Sequence, residues 1–159
     1  MKTLIAYFTY GGNTGMVAGL LKSALNADVH EIKLLNQRKR FGPGKFFWAL
    51  SQVFGNKRPA LKPHAVNINS YDLVILGTPV WAGFPSTPVF SFLDQTEIKG
   101  KKVALFCCHG GQPGQAMEKL KTAVGSGNTI TGEIDFHNPA KSRTEELKKK
   151  VDDWVSTLI

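Results

Sequence analysis

The usual nucleotide signatures are missing from this sequence. There is no Gly-x-Gly-x-x-Gly, and no Lys-Ser/Thr pair closes its glycine-rich loop. Neither Gly-x-Ser-x-Gly nor Cys-x5-Arg occurs, which removes two common hydrolase arrangements. Cysteine is scarce: Cys107 and Cys108 are adjacent and cannot staple distant segments. Strand alternation sends their side chains to opposite faces, and a reducing cytoplasm is the expected compartment. No apolar run approaches the roughly 20 residues of a membrane span. The N-terminal apolar run lacks a small-residue cleavage site, so no signal peptide is expected. Repeats and low-complexity stretches are absent as well. Acidic residues are missing from one long window, Ile32 to Tyr71.

That window holds eight bases: Lys33, Arg38, Lys39, Arg40, Lys45, Lys57, Arg58 and Lys62. Taking these from the chain's 20 Lys and Arg leaves 12, matched by 12 Asp and Glu. The net charge of +8 therefore belongs to one segment, 33–62. The remaining composition is ordinary. With 159 residues and 42% hydrophobic content, one globular domain over 1–159 is expected.

The most informative stretch is Leu-Ile-Ala-Tyr-Phe-Thr-Tyr-Gly-Gly-Asn-Thr, from Leu4 to Thr14. An apolar run stops at a polar turn, and Val17, Leu20, Leu21, Ala24 and Leu25 follow at helical spacing. A strand, a tight loop and an amphipathic helix result. The helix start offers free N–H groups and a positive dipole end, and Gly11 and Gly12 let backbone approach an anion. Thr9 and Thr14 add neutral hydroxyls. A phosphate held without a loop cation is the chemistry this pattern suits.

Along the chain, strands are expected over 2–8, 27–34, 72–77, 103–108 and 129–136. Helices are expected from 13 or 14 to 25, over 46–54, 88–95, 114–124 and 143–158, with loops at 55–63, 78–85 and 109–113. Asn13 or Thr14 would cap the first helix, and Ser142 or Thr144 the last. In the 46–54 helix, Phe47, Leu50, Val53 and Phe54 have helical spacing. Leu147, Val151, Trp154, Val155 and Leu158 form the last helix's apolar stripe. Strands that are apolar throughout argue for a parallel sheet covered on both faces. The implied architecture is α/β, a doubly wound five-stranded parallel sheet. Ligands then sit at the carboxyl ends of the strands, by the switch point. That rule selects three loops: Thr9–Thr14, Thr78–Gly83 and Cys108–Gln112.

Tyr-Asp-Leu-Val-Ile-Leu-Gly-Thr-Pro-Val-Trp-Ala-Gly, Tyr71 to Gly83, resembles the third strand and flavin loop of the flavodoxin family. Thr9, Tyr10, Gly11, Gly12, Asn13 and Thr14 are similar to its phosphate loop. The stretch from Lys102 to Gly111 resembles its fourth strand and second flavin loop. The resemblance implies a flavodoxin-like fold with strand order 2-1-3-4-5 and non-covalent FMN. It differs from the family's common pattern in two respects: Gly11 stands where a hydroxyl is frequent, and the chain is basic where flavodoxins are commonly acidic.

The cofactor contacts implied are Thr9, Tyr10, Gly11, Gly12, Asn13 and Thr14; Thr78, Pro79, Val80, Trp81, Ala82 and Gly83; and Cys108, His109, Gly110, Gly111 and Gln112. Trp81 is expected to stack on the ring. The Ala82–Gly83 peptide is expected to flip, so that its carbonyl accepts the proton gained at flavin N5. Gly110 and Gly111 would offer N–H groups to the ring's carbonyl oxygens. A solvated role is expected for His109, and core filling for the two cysteines. No catalytic residue and no metal ligand is assigned. A phospho-receiver would need acids where Thr9 and Thr78 stand.

Two functions stay open. One is an electron carrier; the other is an FMN-dependent reductase or oxidase of quinones or related small molecules. The expected partner is a redox protein, acidic in character, docking near segment 33–62. That segment also allows membrane-surface contact. Specific nucleic-acid binding has no recognition motif to support it.

Overall fold

The computed structural model describes residues 1–36 and 43–159. Five strands form one parallel sheet: β1 (Thr3–Tyr7), β2 (Asp28–Glu31), β3 (Leu73–Trp81), β5 (Lys102–His109) and β6 (Thr129–His137). The fourth strand in chain order, β4 (Phe84–Pro85), is a two-residue antiparallel return on β3. The sheet order is β2-β1-β3-β5-β6, with β4 off the path. Setting β4 aside, this is the expected 2-1-3-4-5.

Alternation along each strand feeds both faces. Leu4, Ala6, Val74, Leu76, Val103 and Leu105 pack on one side with Val89 and Phe92 of α3 (Thr87–Gln95). Leu120 and Val124 of α4 (Ala116–Val124) join them, as does Ala49 of α2 (Pro43–Phe54). Ile5, Leu73, Ile75, Ala104 and Phe106 pack on the other side. There they meet Val17 and Leu21 of α1 (Asn13–Leu25) and Leu147 and Val151 of α5 (Thr144–Val155). The α5 stripe is buried at all five expected positions.

Several boundaries differ from the sequence-based expectation. β3 runs four residues past Gly77, through Trp81, so only Ala82 and Gly83 form the turn. β2 stops at Glu31, although Ile32 and Leu34 remain buried. The Ile32 N–H still donates to Tyr7 O at 2.7 Å, and beyond it Leu34 pairs with Leu61. The Lys62 N–H donates to Lys33 O at 2.8 Å and the Leu35 N–H to Ala60 O at 2.9 Å, closing the basic segment at its neck. α2 begins at Pro43, whose missing N–H costs nothing in a first turn. Its buried residues are Ala49 and Gln52; of the expected stripe Val53 packs on the core and Leu50 is half-buried, whereas Phe47 and Phe54 are exposed, so the stripe is split between core and solvent. α4 begins two residues later than expected. No side-chain cap closes α1 or α5; Gly12 and Arg143 occupy those cap positions.

The sheet is tightest at Gly77. A Cβ there would lie 2.1 Å from Phe106 Cζ on the neighbouring strand. Gly77→Ala should therefore force Phe106 off its rotamer and cost roughly 2–3 kcal/mol. Urea unfolding of Gly77→Ala, Phe106→Leu and the double variant should reveal favourable coupling between the two sites. Strict additivity would mean that Phe106 is not the obstacle.

Candidate functional site

Because the strands are parallel, the chain leaves β1, β3 and β5 along one edge. The loop after β1 turns at Gly12, whose φ of 95° is open to glycine and costly for other residues. The Thr9 hydroxyl accepts from the Gly12 N–H at 3.1 Å and shapes that turn. Met16 N–H makes the first helical bond, to Gly12 O at 2.9 Å. The N–H groups of Asn13, Thr14 and Gly15 thus head α1 without helical partners. Gly11 and Gly12 are exposed. The buried Thr14 hydroxyl has the weakly polar Cys108 thiol beside it but makes no hydrogen bond of proper geometry. Asn13 instead braces the edge: its Oδ1 accepts from the Ala140 N–H at 3.3 Å.

The second loop is a strained hairpin. Ala82 (φ 50°) and Gly83 (φ 81°) both occupy the left-handed region that a two-residue turn with this twist requires. Alanine carries a steric cost there of about 1 kcal/mol. Gly114 (φ 56°) backs the turn so closely that a Cβ on it would lie 2.6 Å from Gly83 Cα. Gly83 O accepts from the Gln115 N–H at 2.8 Å, which ties the turn to the start of α4. Thr78 is fully buried, and its hydroxyl meets Ser86 Oγ at 3.0 Å and the Ser86 N–H at 2.9 Å. Its side chain holds the hairpin rather than facing open space. Pro79 and Val80 are half-buried on the extended strand, where Val80 pairs with Pro85.

Trp81 is 8% exposed and sits among rings. Phe8, Tyr10 and Trp48 meet it at centroid distances of 5.8, 5.5 and 5.6 Å, all edge-on. Tyr10 and Trp48 are 5.4 Å apart. Trp48 comes from α2 and closes this aromatic group from the crossover side, as does Lys45. The Lys45 ammonium donates to Tyr10 O at 3.0 Å and lies 4.4 Å from the Tyr10 ring centroid.

The third edge departs most from expectation. His109 is 8% exposed and ends β5, so it is not a solvated loop residue. Its Nε2 lies 2.9 Å from Asp135 Oδ2. A neutral ring must carry its proton on Nε2 to make that bond, which leaves Nδ1 a buried acceptor without a partner among the described residues. His137 lies alongside at 5.4 Å, and the Asn138 N–H donates to His109 O at 2.8 Å. Gly110, Gly111 and Gln112 are exposed beyond it. Cys108 points into the core beneath α1 and α5, so only its backbone is placed for a ligand.

The basic segment is also less bare than its sequence suggests. Arg58 pairs with Asp94 at 3.0 Å and Lys33 with Glu31 at 3.9 Å, both acids lying outside the acid-free window. Arg38, Lys39 and Arg40 lie outside the described residues. Lys45 and Trp48, three apart on one face of α2, are site residues that loop motifs do not reveal. Asp135 and Asn138 come from the β6 edge and carry no signature either.

A helix N-terminus with exposed glycines and a nearby ammonium suits an anion. An aromatic group beside it suits a flat ring. The residues present therefore fit a phosphorylated aromatic cofactor. Among the described residues no helix is long and apolar enough to cross a membrane.

The family model described as Flavodoxin matches residues 2–157. A flavoprotein from Lactobacillus acidophilus NCFM in complex with FMN is 27% identical, with 97% of this chain and 98% of that chain covered and a TM-score of 0.75. The apo form of the L. acidophilus flavoprotein is 26% identical over 88% and 95% of the two chains, with a TM-score of 0.65. A two-electron reduced flavodoxin from Megasphaera elsdenii is 22% identical over 98% and 99%, with a TM-score of 0.55, a likeness of fold. No curated protein sequence matches.

The thiols provide a test of the packing beneath this edge. Burial pushes both Cys107 and Cys108 up to about 12, so both stay protonated at pH 8. Neither should react with DTNB in native buffer at pH 8, and both should react in guanidinium. Prompt native reaction would show that the β5 edge opens.

Proposed function

The chain belongs to the flavodoxin family, and from that premise we propose that it holds one non-covalent FMN and carries electrons between redox proteins. The observation that carries this reading is the convergence of the α1 N-terminus, the Trp81 hairpin and the β5 edge on one side of the sheet. Thr9, Gly11, Gly12, Asn13 and Thr14 would take the phosphate, chiefly through backbone N–H groups. Tyr10, Trp48 and Trp81 would surround the ring. The edge-on pairs they now make are worth only about 0.5–1.5 kcal/mol each beyond burial, so a planar ring can replace some of them. Gly110 and Gly111 would present backbone to the ring's polar edge. FMN, when bound, supplies the one- and two-electron chemistry. The Ala82–Gly83 turn, with both residues in the left-handed region, would offer the movable carbonyl.

Carrier function is favoured by the surface of α2. Phe46, Phe47 and Phe54 are 62%, 67% and 75% exposed on the helix that bears Trp48. Lys57 lies just beyond it, exposed, followed by Arg58 in its pair with Asp94. Apolar rings flanked by positive charge suit an acidic redox protein, which would dock beside the cofactor. A second reading, an FMN-dependent quinone reductase, draws on His109, which Asp135 orients at the same edge and whose Nδ1 is left as an acceptor for a proton.

Purified protein should bind about one FMN per chain and discriminate against riboflavin, the loop being of use only to a phosphate. Trp81→Leu keeps apolar volume but removes the aromatic face, and should weaken FMN binding roughly tenfold. Equal affinity for both flavins would overturn the phosphate assignment. An anaerobic titration with NAD(P)H separates the two readings. Slow reduction without quinone turnover supports the carrier, and fast quinone-dependent oxidation of NAD(P)H supports the reductase.

A further inference from the structure

We propose that Lys45 is a phosphate ligand, and that α2 thereby supplies to the first loop the positive charge the loop itself lacks. The proposal rests on the FMN reading above and names the residue that selects the phosphorylated flavin. From Thr9 to Thr14 the loop carries no charged side chain. The ammonium of Lys45 reaches it from α2, 3.0 Å from Tyr10 O. It also lies over Gly11: a Cβ at position 11 would be in van der Waals contact with Nζ, at 3.6 Å. Lys45 is half-buried, and among the described residues no carboxylate pairs with it. An ammonium has three donors, and one is spent on the Tyr10 carbonyl. The others are available to an anion seated on the α1 N-terminus.

The placement has a second consequence. Lys45 and Trp48 share one face of α2, so the helix touches the phosphate loop with one residue and the Trp81 group with the other. A single helix then reads both ends of the cofactor. The alternative is a strut, in which Lys45 ties α2 to the loop and has no part in recognition. The two differ in what they do to riboflavin, which has the ring and no phosphate.

The test is a fluorescence-quenching titration of apoprotein with FMN and with riboflavin at several salt concentrations. Lys45→Met should lose roughly tenfold or more in FMN affinity, as expected for a charge-assisted hydrogen bond, with riboflavin unchanged. Its FMN affinity should also depend less on salt than the parent's. Lys45→Arg should restore most of the discrimination, and inorganic phosphate should compete more weakly in Lys45→Met. Circular dichroism checks the fold, and Lys45→Gln reads the same ratio if Met disturbs α2. Equal weakening of both flavins, or an unchanged FMN-to-riboflavin ratio in a parent that discriminates, would overturn the Lys45 assignment alone. A parent that does not discriminate would overturn the FMN reading as well.

Discussion

Parallel strand pairing is the constraint on which the rest of this structure depends. β1 pairs with β3 from Thr3↔Leu73 to Tyr7↔Gly77, and β3 with β5 from Leu73↔Lys102 to Pro79↔Cys108. Parallel ladders give every strand the same polarity, so the turns after Phe8, Trp81 and His109 share an edge. They also require crossovers, and the crossovers cover both faces with helices. Because the core forms on both sides, the strands are rigid and apolar, and polar chemistry is confined to their ends. The site is thus a consequence of sheet polarity. Its individual side chains refine a location that the backbone already determines.

That logic explains what the sequence reveals. The continuous apolar run of Leu73 to Leu76 reads directly as a strand buried on both faces, and all four residues are fully buried. The α5 stripe reads equally well, since helical spacing alone decides which residues face the sheet. The glycine-rich turn after Phe8 carries its own punctuation. In each case the decisive information lies within a few neighbouring residues.

Contacts between distant segments are less legible. Whether Thr78 to Trp81 is loop or strand depends on the return of Phe84 and Pro85 against Val80 and Trp81. The face α2 buries depends on where the crossover lands, and its run of aromatics offers two plausible stripes. His109 looks solvated beside Gly110 and Gly111 until Asp135 arrives from β6. The acid-free window looks uncompensated until Asp94 reaches Arg58 from α3. Each misreading follows from treating a side chain's sequence neighbours as its spatial ones.

The bridge between Leu34 and Leu61 matters in time as well as in space. The crossover from β2 to β3 is the longest in the sheet, and its closure should be the slowest step in assembling the ladder. Once Leu34 and Leu61 have met, roughly a third of that length is left to close, so one long closure becomes two shorter ones. The helix between them is carried on a loop whose two ends the bridge holds together.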